Sequence, residues 1–344
     1  MNAALPKWSI REYRADDVSA VHELFKTVYH SSRPLEHYIW KFHENPVGRG
    51  IIMVAEDSTH IVGQYALMPT RLRLGNEVVL GAQSLDTMTH PDYRNQGMFT
   101  VLAKSCMELA KAKGVEVLYG FPNESAYHGF VHSLNWDHTG DISMWIRFLN
   151  PKLLSSYSRL VRQLASLCMP MIPLGNANPK GVEIRMERPT WEQIDSLTNS
   201  ESSGVRKGIC RIERSIDWIK WRFDNASQRN YIWFSAYRDG DLAACAVFGL
   251  NDWGDMPLVD MTGSDTQALE GVVSRATRCA KEHGLPQLAA ITNYPSAERA
   301  LKSCGYQPRL QERLIVRSLT TRTLDANIHL HSSWRIASAD VDTF

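Results

Sequence analysis

The chain contains the same pattern of residues twice. Trp40 is followed 15 residues later by Ala55, and Trp221 is followed 15 residues later by Ala236. Each alanine lies in an apolar, strand-like run, and a polar turn and a second such run follow, which predicts a hairpin in each copy. A duplication of this kind constrains the fold strongly, because both copies must adopt the same order of elements.

The repeat continues beyond the hairpins. Gly114 precedes Trp136 by 22 residues, and Gly284 precedes Tyr306 by 22 residues. Both glycines follow an amphipathic segment with basic residues near its end, which is a signal for the end of a helix. Each copy then predicts the order strand, helix, hairpin, strand, helix, strand, helix, strand. We therefore expect an α/β fold with a mixed sheet, made of two similar domains.

The repeat also sets the expected domain boundaries. We predict a first domain over residues 1–148, a connecting helix and linker over 149–181, and a second domain over 182–344. Apolar residues recur at helical spacing between Leu149 and Leu167, and a segment rich in Pro, Gly and Asn follows. A helix that faces the core is the preferred interpretation, and a helix lying on a membrane surface is the alternative.

Composition excludes several classes of protein. The net charge is +1 and 44% of the residues are apolar, which is unlike a disordered chain. Without an overall basic excess, we expect no nucleic-acid partner. No apolar stretch is long enough for a membrane span, no signal sequence is evident, and the six cysteines are scattered. These features predict a cytoplasmic protein with reduced thiols.

The segment from residue 84 to residue 99 carries the strongest functional signal. A strand is predicted to end near Thr89, Pro91 interrupts it, and a helix is predicted to begin around Gly97. The first N–H groups of a helix have no partner within the helix, and its positive end attracts anions. We therefore expect a phosphate-binding loop here. Arg94, with Arg71 or Arg73, is expected to add positive charge.

This segment resembles a known cofactor loop. The run His-Pro-Asp-Tyr-Arg-Asn-Gln-Gly-Met at 90–98 is similar to the acetyl-CoA pyrophosphate loop of the GNAT superfamily, Val-x-Pro-x-x-Arg-x-x-Gly-x-Gly/Ala. Thr89 replaces the usual valine, and Phe99 replaces the final small residue. Further similarity at Ile10-Arg11, at Phe121-Pro122-Asn123 and at Asn135-Trp136 extends the resemblance over roughly residues 8 to 147.

The resemblance implies an enzyme that transfers an acyl group from acetyl-CoA, or a longer acyl-CoA, to an amine within a ternary complex. It also implies a set of residues that contact the cofactor, partly through the main chain: Thr87, Met88, Thr89, Arg94, Asn95, Gln96, Gly97, Met98, Phe99 and Asn123. Capping of the following helix is the alternative role for Asn123. We expect no metal, because His128 and His132 lack an evident third ligand.

The second copy lacks this loop. Asp86 precedes Gly114 by 28 residues, whereas Asp260 precedes Gly284 by only 24. The run Gly-Ser-Asp at 263–265 stands where the loop should be. We therefore predict one CoA site, in the first copy, and a second copy that helps to form the acceptor pocket.

The catalytic residues are less well defined. Gln83 stands where the family often has a glutamate base, and Phe130 stands where a tyrosine acid is common. Asp86 is our candidate for proton acceptance or amine binding, although Asp260 at the matching position favours a structural role equally. Tyr127, one helical turn before Phe130, is our candidate general acid, with packing as the alternative.

The acceptor is inferred from resemblance alone. Chains with two such domains and this loop resemble enzymes that acylate the amino group of nucleotide-linked sugars for surface polysaccharides. An aminoglycoside-like amine and a protein lysine are alternative acceptors, and a CoA-binding protein without catalysis is an alternative function. The C-terminal segment, including Trp334 and Arg335, is expected to fold back over the site or to be disordered. The oligomeric state stays open.

Overall fold

The computed structural model describes residues 7–58, 60–150, 172–203, 208–224, 230–250, 257–263 and 265–341. The first copy contains β1 (Ser9–Glu12), α1 (Val18–Tyr29), α2 (Leu35–Phe42), β2 (Ile51–Asp57), β3 (His60–Leu74), β4 (Glu77–Thr89), α3 (Met98–Ala112), β5 (Val117–Gly120), α4 (Glu124–His128) and β6 (Asp137–Phe148). A π-helical turn, Gly129–Ser133, follows α4.

The second copy repeats this order and adds two strands, β8 between its first two helices and β14 at its end. It contains β7 (Glu183–Arg185), α5 (Trp191–Ser203), β8 (Cys210–Ile212), α6 (Ile216–Phe223), β9 (Asn230–Arg238), β10 (Asp241–Leu250), β11 (Leu258–Thr262), α7 (Thr266–Glu282), β12 (Gln287–Ile291), α8 (Pro295–Ser303), β13 (Gln307–Ser318) and β14 (Trp334–Arg335). The predicted mixed α/β fold with two similar copies is confirmed. The predicted connecting helix lies largely outside the described residues, which stop at 150 and resume at 172.

All the described strands belong to one mixed sheet, in which the two copies exchange their last strands. The order is β1-β2-β3-β4-β5-β13-β6-β12-β11-β10-β9-β7, with β8 paired to β3 and β14 paired to β8. Strand β13 of the second copy lies beside β5 of the first, and β6 of the first copy lies beside β12 of the second. The two exchanged strands pair with each other at the centre. The domain boundaries predicted from the repeat therefore do not divide the sheet into its two halves.

A pair of tryptophans joins the copies at their equivalent positions. The rings of Trp40 and Trp221 stack with centroids 4.5 Å apart and planes 12° apart. Trp40 Nε1 donates to the carbonyl of Trp221 at 2.9 Å, and Trp221 Nε1 donates to the carbonyl of Trp40 at 3.0 Å. The contact is reciprocal, as at an isologous dimer interface, so the chain resembles a twofold dimer joined into one polypeptide.

The helices cover the two faces of the sheet differently. In the first copy, α3 and the α4 region pack on one face through a cluster that includes Leu102, Phe130 and Leu118. On the other face, α1 and α2 pack through a cluster that includes Val21 and Phe42. A third cluster, containing both stacked tryptophans, continues that second face into the other copy. The junction between the copies is therefore a hydrophobic core.

Two further findings concern the described part of the chain. No helix in it is long and apolar enough to cross a membrane. Its five cysteines are free thiols: Cys106, Cys210, Cys245, Cys279 and Cys304.

Replacing one of the stacked tryptophans tests the importance of the junction. We expect Trp40→Ala to reduce the free energy of unfolding by about 3–5 kcal/mol, because it removes a buried ring and the hydrogen bond that its indole donates. Denaturant unfolding measures this change, and the whole chain should still unfold in one transition. Trp191→Ala, which truncates a partly buried ring on α5, should cost clearly less. A cost below about 1 kcal/mol for Trp40→Ala would show that the pair contributes little.

Candidate active site

The loop between β4 and α3 is fixed by two side-chain contacts. It begins with a 3-10 turn over Pro91–Tyr93. The Tyr93 hydroxyl donates to Asp57 Oδ2 at 2.6 Å, and Trp8 Nε1 donates to Gln96 Oε1 at 3.1 Å. Gln96, one of the predicted cofactor residues, is therefore held before any ligand binds. Such preorganisation lowers the entropic cost of binding.

The start of α3 exposes main-chain N–H groups. Gly97 precedes the helix with φ 76°, and no side chain caps this end. The N–H of Val101 bonds to the carbonyl of Gly97, so the N–H groups of Met98, Phe99 and Thr100 have no acceptor within the helix. A Cβ at Gly97 would meet no atom within 4 Å, so the surface is open to a ligand. These features fit the predicted diphosphate site.

The side chains around this site differ in their exposure to solvent. Arg94, Asn95 and Gly97 are exposed, and Arg94 has no ion pair among the described residues. Met98 is buried, and Phe99 packs on Phe130 with centroids 5.3 Å apart. Met98 and Phe99, two of the predicted cofactor residues, can therefore present main-chain groups to a ligand. The bulky side chain that departs from the family pattern points away from the loop into the core.

The equivalent helix of the second copy is capped by its own chain. Asp265 precedes α7, and its Oδ1 accepts from the N–H groups of Gln267 at 2.9 Å and Ala268 at 3.1 Å. Arg238 pairs with the same carboxylate at 2.7 Å. A negatively charged group already occupies the position that a phosphate would need. The second copy thus lacks the loop and has the carboxylate of Asp265 at the start of α7 instead.

A gap opens in the sheet next to the loop of the first copy. Strands β4 and β5 pair from Gly81–Val117 to Ser84–Gly120, and β4 continues to Thr89 without β5 beside it. The Thr87 carbonyl accepts from Tyr29 at 3.3 Å. The Thr87 hydroxyl is buried and has no partner in the described part of the chain. An unsatisfied polar atom here is consistent with a ligand that runs along β4.

The corresponding gap of the second copy is filled by the C-terminal segment. Strands β11 and β12 pair at Leu258 and Ala290. Beyond this point Ala337 bridges to Thr292, and the N–H of Ile291 donates to Ser338 Oγ at 2.7 Å. The C-terminal segment is therefore neither disordered nor folded over the predicted site, because it lies on the second copy. The two gaps are alike in topology and differ in what occupies them.

Asp86 lies in a buried ion-pair cluster. Its side chain is 6% exposed and pairs with Arg33 at 2.7 Å and Lys41 at 3.3 Å. Burial alone would raise the pKa of this carboxyl, but Lys41 and Arg33 outweigh burial and lower the pKa to about 2. A carboxylate with so low a pKa is a poor proton acceptor at neutral pH. The geometry favours the structural role for Asp86 over the predicted catalytic one.

The second copy contains the same ion pair. Arg214 bonds to Asp260 at 2.9 Å, and both residues match Arg33 and Asp86 by their place in the repeat. Asp340 of the C-terminal segment adds a second carboxylate at 2.6 Å from Arg214. Since the pair persists in a copy whose loop is lost, it supports the fold rather than the chemistry.

Tyr127 belongs to a chain of polar contacts on the face that carries α3 and α4. Its hydroxyl lies 3.1 Å from His138 Nδ1, and His138 Nε2 lies 2.9 Å from Asp141 Oδ1. The guanidinium of Arg313 lies over the tyrosine ring at 4.6 Å. His138, the partner of Tyr127, is on β6, whereas Thr87 is on β4. Strands β5 and β13 lie between them in the sheet, so Tyr127 and Thr87 are not brought together. The role of Tyr127 as general acid stays a prediction.

Asn123 has the setting of its alternative role, and two predicted arginines lie away from the loop. Asn123 caps α4, since its Oδ1 accepts from the N–H of Ala126 at 3.0 Å. Arg73 pairs with Glu213 at 2.8 Å, and Arg71 neighbours it on β3. Both arginines lie at the far end of β3, because that strand meets the loop at Gly63 and Thr89. The expectation that they add charge to the loop was wrong.

His128 at the end of α4 and His132 in the π-helical turn that follows lie close together. The rings of His128 and His132 are 4.3 Å apart. Across the described ranges, no group of three His, Cys, Asp or Glu side chains is arranged to hold a metal ion.

One family model matches the first copy. Residues 9–139 match the family model described as an acetyltransferase (GNAT) domain. No curated protein matches the chain in sequence. Residues 9–139 are therefore similar to a GNAT acetyltransferase domain.

Solved structures share the fold of the whole chain. A probable N-acyltransferase from Enterococcus faecalis superposes with a TM-score of 0.66 at 10% identity, over 91% of this chain and 73% of that chain. A GCN5-related N-acetyltransferase from Anabaena variabilis gives a TM-score of 0.64 at 11% identity, over 91% and 73%. A tandem GNAT protein from the clavulanic acid biosynthesis pathway gives 0.61 at 13% identity, over 92% and 100%. The chain thus has the fold of a tandem GNAT protein.

The structural role of Asp86 predicts a specific pH dependence. We expect Asp86→Asn to cost about 3–5 kcal/mol at pH 7, because the partly buried Arg33 and the buried Lys41 would lose the carboxylate that neutralises their charge. The folded pKa is lower than the unfolded one, so the ion pair stabilises the fold above pH of about 4. The difference between wild type and variant should therefore shrink as the pH falls from about 4 towards 2. Urea unfolding at several pH values measures it, with Asp16→Asn at an exposed site as the control. A constant difference across this range would contradict the ion-pair account.

Proposed function

We propose that the protein is an acyl-CoA-dependent N-acyltransferase with one cofactor site, formed by the first copy. The observation that carries the proposal is the contrast between two equivalent helices. Helix α3 begins at an open glycine with uncapped N–H groups, whereas α7 begins at a carboxylate that already occupies its N–H groups. The similarity to a GNAT domain over residues 9–139 coincides with the uncapped copy.

The remaining parts of the first copy suit a bound CoA thioester. The diphosphate would lie on the N–H groups at the start of α3, with exposed Arg94 beside it. The pantetheine arm would run along the part of β4 that has no β5 neighbour, near the unpartnered hydroxyl of Thr87. Bound in this way, acyl-CoA supplies the activated acyl group.

The chemistry needs few protein groups. The acceptor nitrogen attacks the carbonyl carbon of the thioester, a C–N bond forms, and the C–S bond breaks. The amine must give up a proton to a base, and the departing thiolate must accept one. Negative charge on the thioester oxygen is stabilised by main-chain N–H groups that already face the reacting atoms. Main-chain groups along the open edge of β4 are the candidates for this role.

A primary amine is the acceptor class that we propose. The nucleotide-linked amino sugar is supported by the resemblance of the loop, and the aminoglycoside-like amine and the protein lysine remain competing acceptors. Assays with acetyl-CoA and one representative of each class separate them, since the true class should give the highest kcat/KM.

CoA binding without catalysis is the second candidate function. It is favoured by Gln83 and Phe130, which occupy the places of a frequent glutamate base and a frequent tyrosine acid in the family. Gln83 is buried between Met68 and Tyr119, and Phe130 is buried against Phe99. Release of free CoA in the presence of an amine, measured by thiol titration, distinguishes the two functions.

A bulky residue at Gly97 should abolish CoA binding. The side chain of Gly97→Trp would stand over the exposed N–H groups and prevent contact with a diphosphate. Calorimetry should show a loss in CoA affinity of at least about 100-fold, while circular dichroism shows a folded chain.

Gly114→Trp is the matched control for this substitution. Gly114 lies at the other end of α3 with φ 85°, and a Cβ there also meets no atom within 4 Å. Both variants carry the same backbone strain, so only their position differs. Unchanged CoA affinity in Gly97→Trp, or an equal loss in both variants, would defeat the proposed site.

A further inference from the structure

The exchanged strand β13 passes the gap of the first copy. Ile315 pairs with Gly120, the last residue of β5, and β13 continues beyond it towards lower residue numbers. Ser84 of β4 pairs with the same Gly120. Beyond this point, Glu312 lies three residues past Ile315 on β13, and Thr87 lies three residues past Ser84 on β4, in the same direction. Two strand spacings, roughly 9–10 Å, separate β4 from β13 where β5 is missing. A small substrate group fits between them.

Glu312 faces the side from which an acceptor can enter. Residues two apart on a strand share a face, so Glu312 lies on the face of Leu314. Leu314 packs in the cluster that contains Trp40 of α2, whereas α3 and α4 cover the opposite face. With a cofactor bound at α3, an amine would approach the thioester from the α2 face, where Glu312 lies.

The carboxylate of Glu312 has no partner among the residues that the structure describes. It is partly buried, and within the described residues it makes neither a hydrogen bond nor an ion pair. Burial raises the pKa of this carboxyl, and no charged neighbour contributes to the shift. Asp86 is the opposite case, since two cations neutralise it. An unpaired, partly buried acid is costly to the fold, and such acids cluster at functional sites.

The repeat supplies an internal comparison. Glu312 pairs in register with Ile142 of β6, and the two residues are equivalent, because each lies six positions after the matched residue Trp136 or Tyr306. Thus β13, which lies beside β5 in the copy with the open loop, carries a carboxylate at this position. Strand β6, which lies beside β12 in the capped copy, carries isoleucine there. The acid is present only on the side of the intact cofactor site.

From this geometry we propose that Glu312 is a catalytic residue, which binds the acceptor ammonium and accepts its proton. One proton moves from the amine nitrogen to the carboxylate, and the neutral amine then attacks the thioester carbonyl. As the C–N bond forms and the C–S bond breaks, the second proton of the attacking nitrogen passes to the departing thiolate, and the proton held by Glu312 is later released to solvent. The inference rests on the proposed acyl transfer, and it makes the active site depend on a residue from the other copy.

In the described part of the chain, titratable groups lie on both faces of the sheet around this carboxylate. On its face, the ring of His331 lies against Gly140, which is two residues from Ile142 on β6. On the α2 side, Arg33 and Lys41 are paired with Asp86. Arg313 and Asp141, the neighbouring pair in the register, belong to the opposite face with Tyr127. His331→Gln therefore accompanies the test, to show whether an effect of pH on activity depends on His331 or on Glu312.

The experiment compares wild type, Glu312→Gln and Glu312→Ile with acetyl-CoA and four probe amines: glucosamine, kanamycin, spermidine and N-α-acetyl-lysine. We expect kcat/KM for the best probe to fall about 100-fold in both variants, while CoA affinity by calorimetry stays unchanged. In wild type, activity should decline as the pH falls through the raised pKa of the carboxyl, and this decline should disappear in Glu312→Gln and persist in His331→Gln. Glu282→Gln, at an exposed site, should behave as wild type.

The possible results separate the two proposals. Loss of CoA binding by wild type would refute the proposed function itself. Normal CoA binding with full kcat/KM in both Glu312 variants, or an unchanged pH profile, would refute the role of Glu312. If wild type turns over none of the probes, NMR with acetyl-CoA bound measures the carboxyl pKa of Glu312 instead. A pKa at or below that of an exposed glutamate would refute the proposal. Folding is checked by Glu312→Ile, since isoleucine already occupies the equivalent position.

Discussion

The reciprocal contact of Trp40 and Trp221, together with the exchange of β6 and β13, determines how the rest of the molecule is built. The two indoles stack and donate to each other's carbonyls across an approximate twofold axis. The exchanged strands join both half-sheets along the same axis. Neither copy can complete its sheet alone, so the two copies are expected to fold as one unit. Each gap in the sheet is consequently bordered by a strand from the other copy.

Within this symmetric frame, a few local differences make the copies unequal. Gly97 leaves the start of α3 open, whereas Asp265 closes the start of α7 with a carboxylate. The C-terminal segment fills the gap between β11 and β12, while the gap between β4 and β5 is free of it. The pair of Glu312 and Ile142 adds a third difference at the axis itself. All three differences favour a single cofactor site in the first copy.

Much of this architecture could be predicted from the sequence, because helix ends, hairpins and the loop depend on local patterns. The start of α3 at Gly97 and the repeat around Trp40 are examples. The strand exchange could not be predicted, since β6 and β13 have equivalent sequences and either arrangement satisfies the same apolar pattern. The partners of Asp86 were also missed, although Arg33 and Arg214 each precede their repeat tryptophan by seven residues, a signal that was available. Glu312 had no such signal, because its setting depends on the exchange.

The account depends most on the claim that the N–H groups at the start of α3, and not those of α7, bind the diphosphate of CoA. A crystal structure of the chain with bound CoA tests this claim directly. It should show one CoA per chain, with diphosphate oxygens within hydrogen-bond distance of the main-chain nitrogens of residues 97–100. A diphosphate at residues 265–268, or one remote from both helix starts, would contradict it.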